Sequence, residues 1–279
     1  MFSINPDQPA DLKPVGKPTP SEGEFPMSLA FNPEGTMLCA LNGGKVNGVQ
    51  CYKVDQNNGL QAMNGTLRNL GLNQTTPATG PAGSASHVIF SEDGKQLIAS
   101  VKGMPPQPGF LAVWDVNQDN TLSQDFTRVA PGKGGLLPFS MTVIPGKNAI
   151  LATDAGVGFD IFDMSGGAKN SSKSSVVPIQ GQGATCWSSF SKKTGNFYLT
   201  DIKTSMVTEV NVDNSLKGTI VKVRSHLRAF IYRLKLISLF CQQYPQANNS
   251  ATIDNDIVTM GANDFMVIAT LTPPVFNYY

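Results

Sequence analysis

His87-Val-Ile-Phe-Ser-Glu-Asp-Gly-Lys-Gln-Leu-Ile-Ala-Ser-Val-Lys-Gly-Met-Pro-Pro-Gln-Pro-Gly-Phe-Leu-Ala-Val-Trp-Asp-Val-Asn117 is the stretch that decides the fold. An apolar run over 88–90 meets a turn at 91–95, and a second apolar run over 96–101 follows. Pro105, Pro106, Pro108 and Gly109 forbid regular structure next, and a third run opens at Phe110. Strand, turn, strand, loop, strand is one antiparallel meander.

The rest of the chain can be laid against that meander. Phe31-Asn-Pro-Glu-Gly35 matches Phe90-Ser-Glu-Asp-Gly94, and Val143-Ile-Pro-Gly146 and Phe190-Ser-Lys-Lys-Thr-Gly195 match more loosely. The anchors Phe31, Phe90, Val143 and Phe190 are 59, 53 and 47 residues apart. Second strands are expected at 37–41, 96–101, 149–153 and 196–200. Third strands follow at 49–54, 110–116, 159–164 and 207–212, and weaker fourth strands near 60–67, 122–129, 175–179 and 216–222. Four short strands per unit of roughly fifty residues is the signature of propeller blades. The expected fold is all-β: an incomplete β-propeller of about four to five four-stranded blades out of seven, occupying 1–279 as one domain. Residues 2–17 read as the outer half of a further blade, and 251–270 as the opening of a fifth. A WD-repeat propeller is the alternative suggested by Trp114-Asp115, but the Gly-His start is missing and the period is too long.

Composition narrows the function. The chain has 279 residues, 27 Gly, 19 Pro and only 15% charged residues, with net charge +1. No global field points to nucleic acid. No run of eighteen apolar residues exists, so no transmembrane helix is expected. The start, Met-Phe-Ser-Ile-Asn-Pro-Asp, lacks the basic and apolar regions of a signal peptide. The cysteines Cys39, Cys51, Cys186 and Cys241 have no zinc-site spacing, and neither metal nor cofactor is expected. Cys39 and Cys51 fall on neighbouring strands, which allows either a disulfide or two buried thiols. Glycosylation sequons occur at Asn64, Asn73, Asn170 and Asn248, about the number chance supplies.

One segment breaks the pattern. Residues 223–242 read VRSHLRAFIYRLKLISLFCQ and carry Arg224, Arg228, Arg233 and Lys235, so the rest of the chain has net charge −3. Leu227, Phe230, Ile231, Leu234 and Ile237 sit at helical spacing, as in a basic amphipathic helix that touches a membrane or a partner. The segment also reads as an insertion of twenty codons with the ends of a translated intron. Its removal joins Lys222 to Gln243 and continues a fourth strand.

Residues 2–222 and 243–266 resemble the lactonase-type seven-bladed β-propeller family, in its secreted fungal branch called 3-carboxymuconate cyclase-like. The residues carrying the resemblance are Leu41-Asn-Gly-Gly-Lys-Val-Asn-Gly48, Phe90-Ser-Glu-Asp-Gly-Lys-Gln-Leu97, Gly109-Phe-Leu-Ala-Val-Trp-Asp115, Leu137-Pro-Phe-Ser-Met141, Thr153-Asp-Ala-Gly-Val-Gly-Phe-Asp160 and Ala184-Thr-Cys-Trp-Ser-Ser-Phe190. The resemblance implies a larger extracellular or cell-wall protein, of which this chain is a part truncated at both ends. It also implies lactonisation of a tricarboxylate.

Propeller register supplies the site candidates. The starts of the innermost strands, Ser28, His87, Ser140 and Trp187, and the ends of the second strands, Asn42, Lys102, Asp154 and Asp201, should ring one mouth of the central funnel. His87 is the only histidine outside 223–242 and fits a general base, with Lys102 meeting an anionic substrate. The aspartates suit either a cation or turn amides. Tricarboxylate binding calls for arginine forks, and outside 223–242 only Arg68 and Arg128 exist, both on outer strands. Two functions follow. One is a non-catalytic surface glycoprotein that contacts a cell wall or host surface. The other is an enzyme on a small carboxylate or lactone, either a lactonising isomerase or a lactone hydrolase.

Overall fold

A computed structural model of the chain describes residues 1–168, 174–223, 240–241, 243–246, 250–260 and 263–270. No α-helix occurs among them. β1 (Phe2–Asn5) and β2 (Gln8–Pro14) form a two-stranded sheet. The first blade is β3 (Pro26–Phe31), β4 (Met37–Gly43), β5 (Asn47–Asp55) and β6 (Gly59–Ala62), with β7 (Arg68–Asn69) further along β5. The second is β8 (Ala85–Phe90), β9 (Gln96–Val101), β10 (Phe110–Asp115) and β11 (Thr127–Val129). The third is β12 (Pro138–Ile144), β13 (Ala149–Asp154), β14 (Gly158–Asp163) and β15 (Ser175–Pro178). The fourth is β16 (Thr185–Ser191), β17 (Asn196–Asp201), β18 (Met206–Val212) and β19 (Gly218–Ile220). Every pairing within these blades is antiparallel.

The chain then pairs β20 (Lys222–Val223) with β21 (Phe240–Cys241) and lays β22 (Gln243–Pro245) on β18. A hairpin of β23 (Thr252–Met260) and β24 (Asn263–Thr270) opens a fifth sheet. The innermost strands β3, β8, β12, β16 and β23 touch one another in chain order, so the blades fan around one axis. The fold is an incomplete β-propeller.

The turn after each innermost strand explains the repeat motif. Gly35, Gly94, Gly146 and Gly195 all have φ within 68–70°, a left-handed conformation in which a side chain is strained. The core is divided by seam. One cluster joins Cys39, Leu41 and Val49 of the first blade to Val88, Leu97 and Trp114 of the second. Another joins Ile98 and Val113 to Ile150 and Phe162, and a third joins Leu151 and Phe159 to Phe197 and Val210. Alternate residues of β9 therefore enter opposite seams, Leu97 and Ala99 one way and Ile98 the other. That is why the second strands read as unbroken apolar runs: both faces are buried.

The fourth strands are shorter than the sequence suggests, because the outer edge is built in pieces. In the first blade β6 and β7 share the edge of β5. In the fourth, β19 pairs with Val210–Val212 and β22 resumes on Met206–Thr208. The anomalous segment leaves the sheet between those two pieces. Its core, 224–239, with the helical positions Leu227 to Ile237, lies outside the described residues.

Candidate functional site

Each innermost strand carries one residue more than its partner near its start. The register shifts between Pro26 and Ser28, Ala85 and Val88, Pro138 and Met141, Thr185 and Ser188, and Thr252 and Asp254. A bulge leaves backbone groups unpaired and re-aims the side chain beside it. The ring candidates Ser28, His87, Ser140 and Trp187 sit at these bulges.

The structure gives three of them one task. Val88 N–H donates to Ser28 Oγ at 3.1 Å, Met141 N–H to His87 Nδ1 at 3.0 Å, and Ser188 N–H to Ser140 Oγ at 3.2 Å. Each side chain accepts an amide of the next blade. A row that sequence reasoning missed completes the joint. Ser100, Thr153 and Thr200, in the second strands, accept the bulge amides of His87, Ser140 and Trp187 at 3.2, 3.0 and 3.3 Å. Ser100 Oγ and Thr153 Oγ1 then donate across the seam to Phe139 O and Cys186 O at 2.5 and 2.7 Å. The hydroxyls satisfy groups that the bulge would otherwise strand in a buried seam. All three lie ten residues past their anchors, which was the signal available.

The second-strand ends are also engaged. Asp154 accepts Leu136 N, Leu137 N and Gly156 N at 2.6, 3.0 and 2.8 Å. Asp201 accepts Gly183, Ala184, Lys203 and Thr204 amides at 2.7–3.1 Å. Both carboxylates fasten the incoming connection to their own blade. Asn42 does the same through Ser21, at 2.7 and 2.8 Å. Lys102 departs from this register: β9 ends at Val101, paired with Ala85, and Lys102 lies one residue beyond. Its amine is buried, donates to Ala85 O at 3.2 Å and to Ser86 Oγ, and stands 4.5 Å from the Phe139 ring centre. Burial lowers its pKa to about 8.

His87 and Trp187 do meet, ring centres 4.8 Å apart, with Phe139 6.0 Å from Trp187. They line a cleft of about 440 Å3 along the axis, together with Phe190, Asp254, Asn255 and Asp256. Burial pushes the His87 pKa down to about 4. A neutral imidazole that accepts at Nδ1 carries its proton on Nε2, so it can donate but has no free lone pair to take a proton. The cleft's acidic residues come from β23, a strand the sequence places at the opening of a fifth blade without marking Asp254 or Asp256 as site residues. Two buried polar atoms beside it, Ser189 Oγ and Asn255 Oδ1, have no hydrogen-bond partner. A further carboxyl, Asp160, is buried in the third blade; burial and neighbouring Asp154 hold its pKa well above the usual carboxylate range.

Arg68 and Arg128 stay off the axis. Arg68 binds Leu67 O, Leu122 O and Ser123 O, and Arg128 stacks on Phe110 at 3.6 Å. Cys39 and Cys51 face each other on β4 and β5 and are joined by a disulfide. Asn64 and Asn73 are exposed; Asn170 and Asn248 lie outside the described residues. Among the described residues no cluster of three His, Cys, Asp or Glu is placed to hold a metal, and no helix is long and apolar enough to cross a membrane.

Comparison with known proteins speaks to the fold. No protein-family model and no curated protein matches the chain. Solved structures do. A periplasmic gluconolactonase of Pseudomonas aeruginosa is similar at TM-score 0.60 and 15% identity, over 92% of this chain and 66% of that one. A candidate 6-phosphogluconolactonase of Bacteroides uniformis is similar at TM-score 0.63 and 15% identity, over 98% and 74%. Another, of Bacteroides fragilis, is similar at TM-score 0.56 and 16% identity, over 90% and 64%. The chain thus spans about two thirds of the length of these propellers.

Proposed function

We infer that this chain is a lactonase-type β-propeller that works as an extracellular or cell-wall binding protein without lactone turnover. The observation that carries the reading is the use of the ring. Ser28, His87 and Ser140 accept amides of the next blade, Asp154 and Asp201 hold loop amides, and Lys102 is buried on Ala85 and Ser86. The groups that would serve as base, cation and polar handles are engaged by the chain's own backbone. The Cys39–Cys51 bond supports an oxidising, secretory setting.

A second reading, hydrolysis or formation of a small lactone, is favoured by the axial cleft. Trp187 offers a platform there, and Asp254 and Asp256 offer carboxylates. A panel of sugar lactones and muconolactones separates the two. The expected result is hydrolysis at the buffer rate. Turnover above buffer that disappears in Asp254→Asn and Trp187→Ala would replace the binding reading with the enzymatic one.

A further inference from the structure

Asn-Gly occurs four times, all within the stretch that forms the first blade: Asn42-Gly43, Asn47-Gly48, Asn58-Gly59 and Asn64-Gly65. Glycine has no Cβ to shield its own nitrogen, so in this dipeptide the backbone can attack the carboxamide that precedes it. The fold restrains three of the four. Asn42 Nδ2 donates to Ser21 O at 2.8 Å, and Gly43 N–H donates to Phe25 O at 3.0 Å. Asn47 Nδ2 donates to Gly44 O and Leu72 O at 3.0 and 2.8 Å, and Gly48 is buried in the ladder opposite Asn42. Asn58 Nδ2 donates to Asp55 Oδ1 at 3.3 Å, and Gly59 is buried opposite Asp55.

Asn64-Gly65 differs. It is the exposed turn between β6 and β7, with Gly65 at φ +73°. Among the described residues no hydrogen bond holds the Asn64 carboxamide or the Gly65 N–H. The groups on either side are fixed. Met63 O accepts Gln50 Nε2 and Thr66 Oγ1 at 3.1 and 2.8 Å, and Thr66 is fully buried. Gly65 O accepts Leu122 N–H of the second blade at 3.1 Å. A reactive pair is thus set into a joint between the outer edges of two blades.

We propose that Asn64-Gly65 is a self-modifying site, at which the chain converts Asn64 to aspartate and isoaspartate and loosens the joint to the second blade. The inference goes beyond the binding function above and does not depend on it. Gly65 N attacks Asn64 Cγ and closes a succinimide ring. The Cγ–Nδ2 bond breaks, and Nδ2 leaves as ammonia with the Gly65 amide proton. Water then opens the ring. Attack at Cγ gives aspartate; attack at the Asn64 backbone carbonyl gives isoaspartate, whose chain runs through Cβ and Cγ. The second product lengthens the backbone by one methylene between Met63 O and Gly65 O, the two carbonyls that hold the turn. Nδ2 is also the atom a glycan takes at this sequon, so the test uses the unglycosylated chain.

The folded full chain is aged in mildly alkaline buffer and mapped by mass spectrometry, with each position read from fragment ions. Asn64 should gain one dalton about tenfold faster than Asn42, Asn47 and Asn58, which react only through local opening. In denaturant the four should react alike. The aged chain should become a substrate for isoaspartyl methyltransferase and exchange its Leu122 amide faster. Asn64→Gln, whose longer side chain closes the ring poorly, should show neither change. Equal rates at the four pairs in the folded chain, or an Asn64 advantage that persists in denaturant, would overturn the proposal. So would an Asn64→Gln chain that ages as wild type does, or Leu122 exchange that is unchanged after conversion.

Discussion

An imidazole that accepts an amide proton cannot take another on the same nitrogen without giving up the contact. For His87 that contact is the seam between the second and third blades. The unfolded chain binds a proton on this residue near pH 6.5, and the folded chain only near 4. Its contribution is therefore complete above pH 6.5, is lost as pH falls from 6.5 to about 4, and is level below, amounting to at most about 3 kcal/mol. His87→Ser installs the hydroxyl that Ser28 and Ser140 use at the same position. The difference in unfolding free energy between wild type and His87→Ser should slope with pH across that window. A flat difference would mean that His87 does not carry the seam bond in its neutral form. The residue's prominence in the sequence had a different reason: it was the lone histidine in the regular repeat, and rarity looks the same whether the ring serves catalysis or a joint.

At the scale of elements, the innermost-strand bulge and the second-strand hydroxyl act together. Thr153→Val keeps shape and removes the hydroxyl, leaving Ser140 N–H and Cys186 O without their partner. The expected loss is about 1–3 kcal/mol, read from chemical denaturation. The first blade has Leu41 in that row, so Leu41→Thr should bring no comparable gain. Strand positions were legible because the second strands are apolar on both faces and the turns need glycine at positive φ. Bulges were not legible, since an extra residue inside an apolar run changes no period that the eye can follow. Lys102 shows the result: it looked like the end of its strand, whereas Val101 closes the ladder. Asp254 and Asp256 were hidden for a simpler reason. The anchor motif lapses after 223–242, so no register could be carried across to β23.

For the whole molecule, cohesion is a series of seams rather than one centre. Three separate clusters join four blades, and each blade contacts its neighbours along the series. Stability in such an arrangement is approximately a sum over neighbours, and the least covered units open first. Hydrogen exchange should show the slowest amides in β9 and β13, whose residues feed two seams. The fastest should lie in β1 and β2, where every residue is exposed. Equal protection across the blades would contradict seam-by-seam cohesion. The propeller as a class could be inferred from the spacing of the anchors. That an incomplete ring leaves two open flanks followed from the same count of blades; which side chains lie on them did not, because exposure depends on which neighbours a strand meets in space.

The joint described at the bulges has a consequence for how such a chain can change over time. Its donor, acceptor and hydroxyl all come from two adjacent units, and nothing in it refers to how many units there are. Duplicating or losing one entire unit leaves every remaining joint with its parts. Deleting a single residue at a bulge turns all later side chains of that strand to the opposite face. Length is therefore free to vary in steps of about fifty residues and is held rigidly within each step.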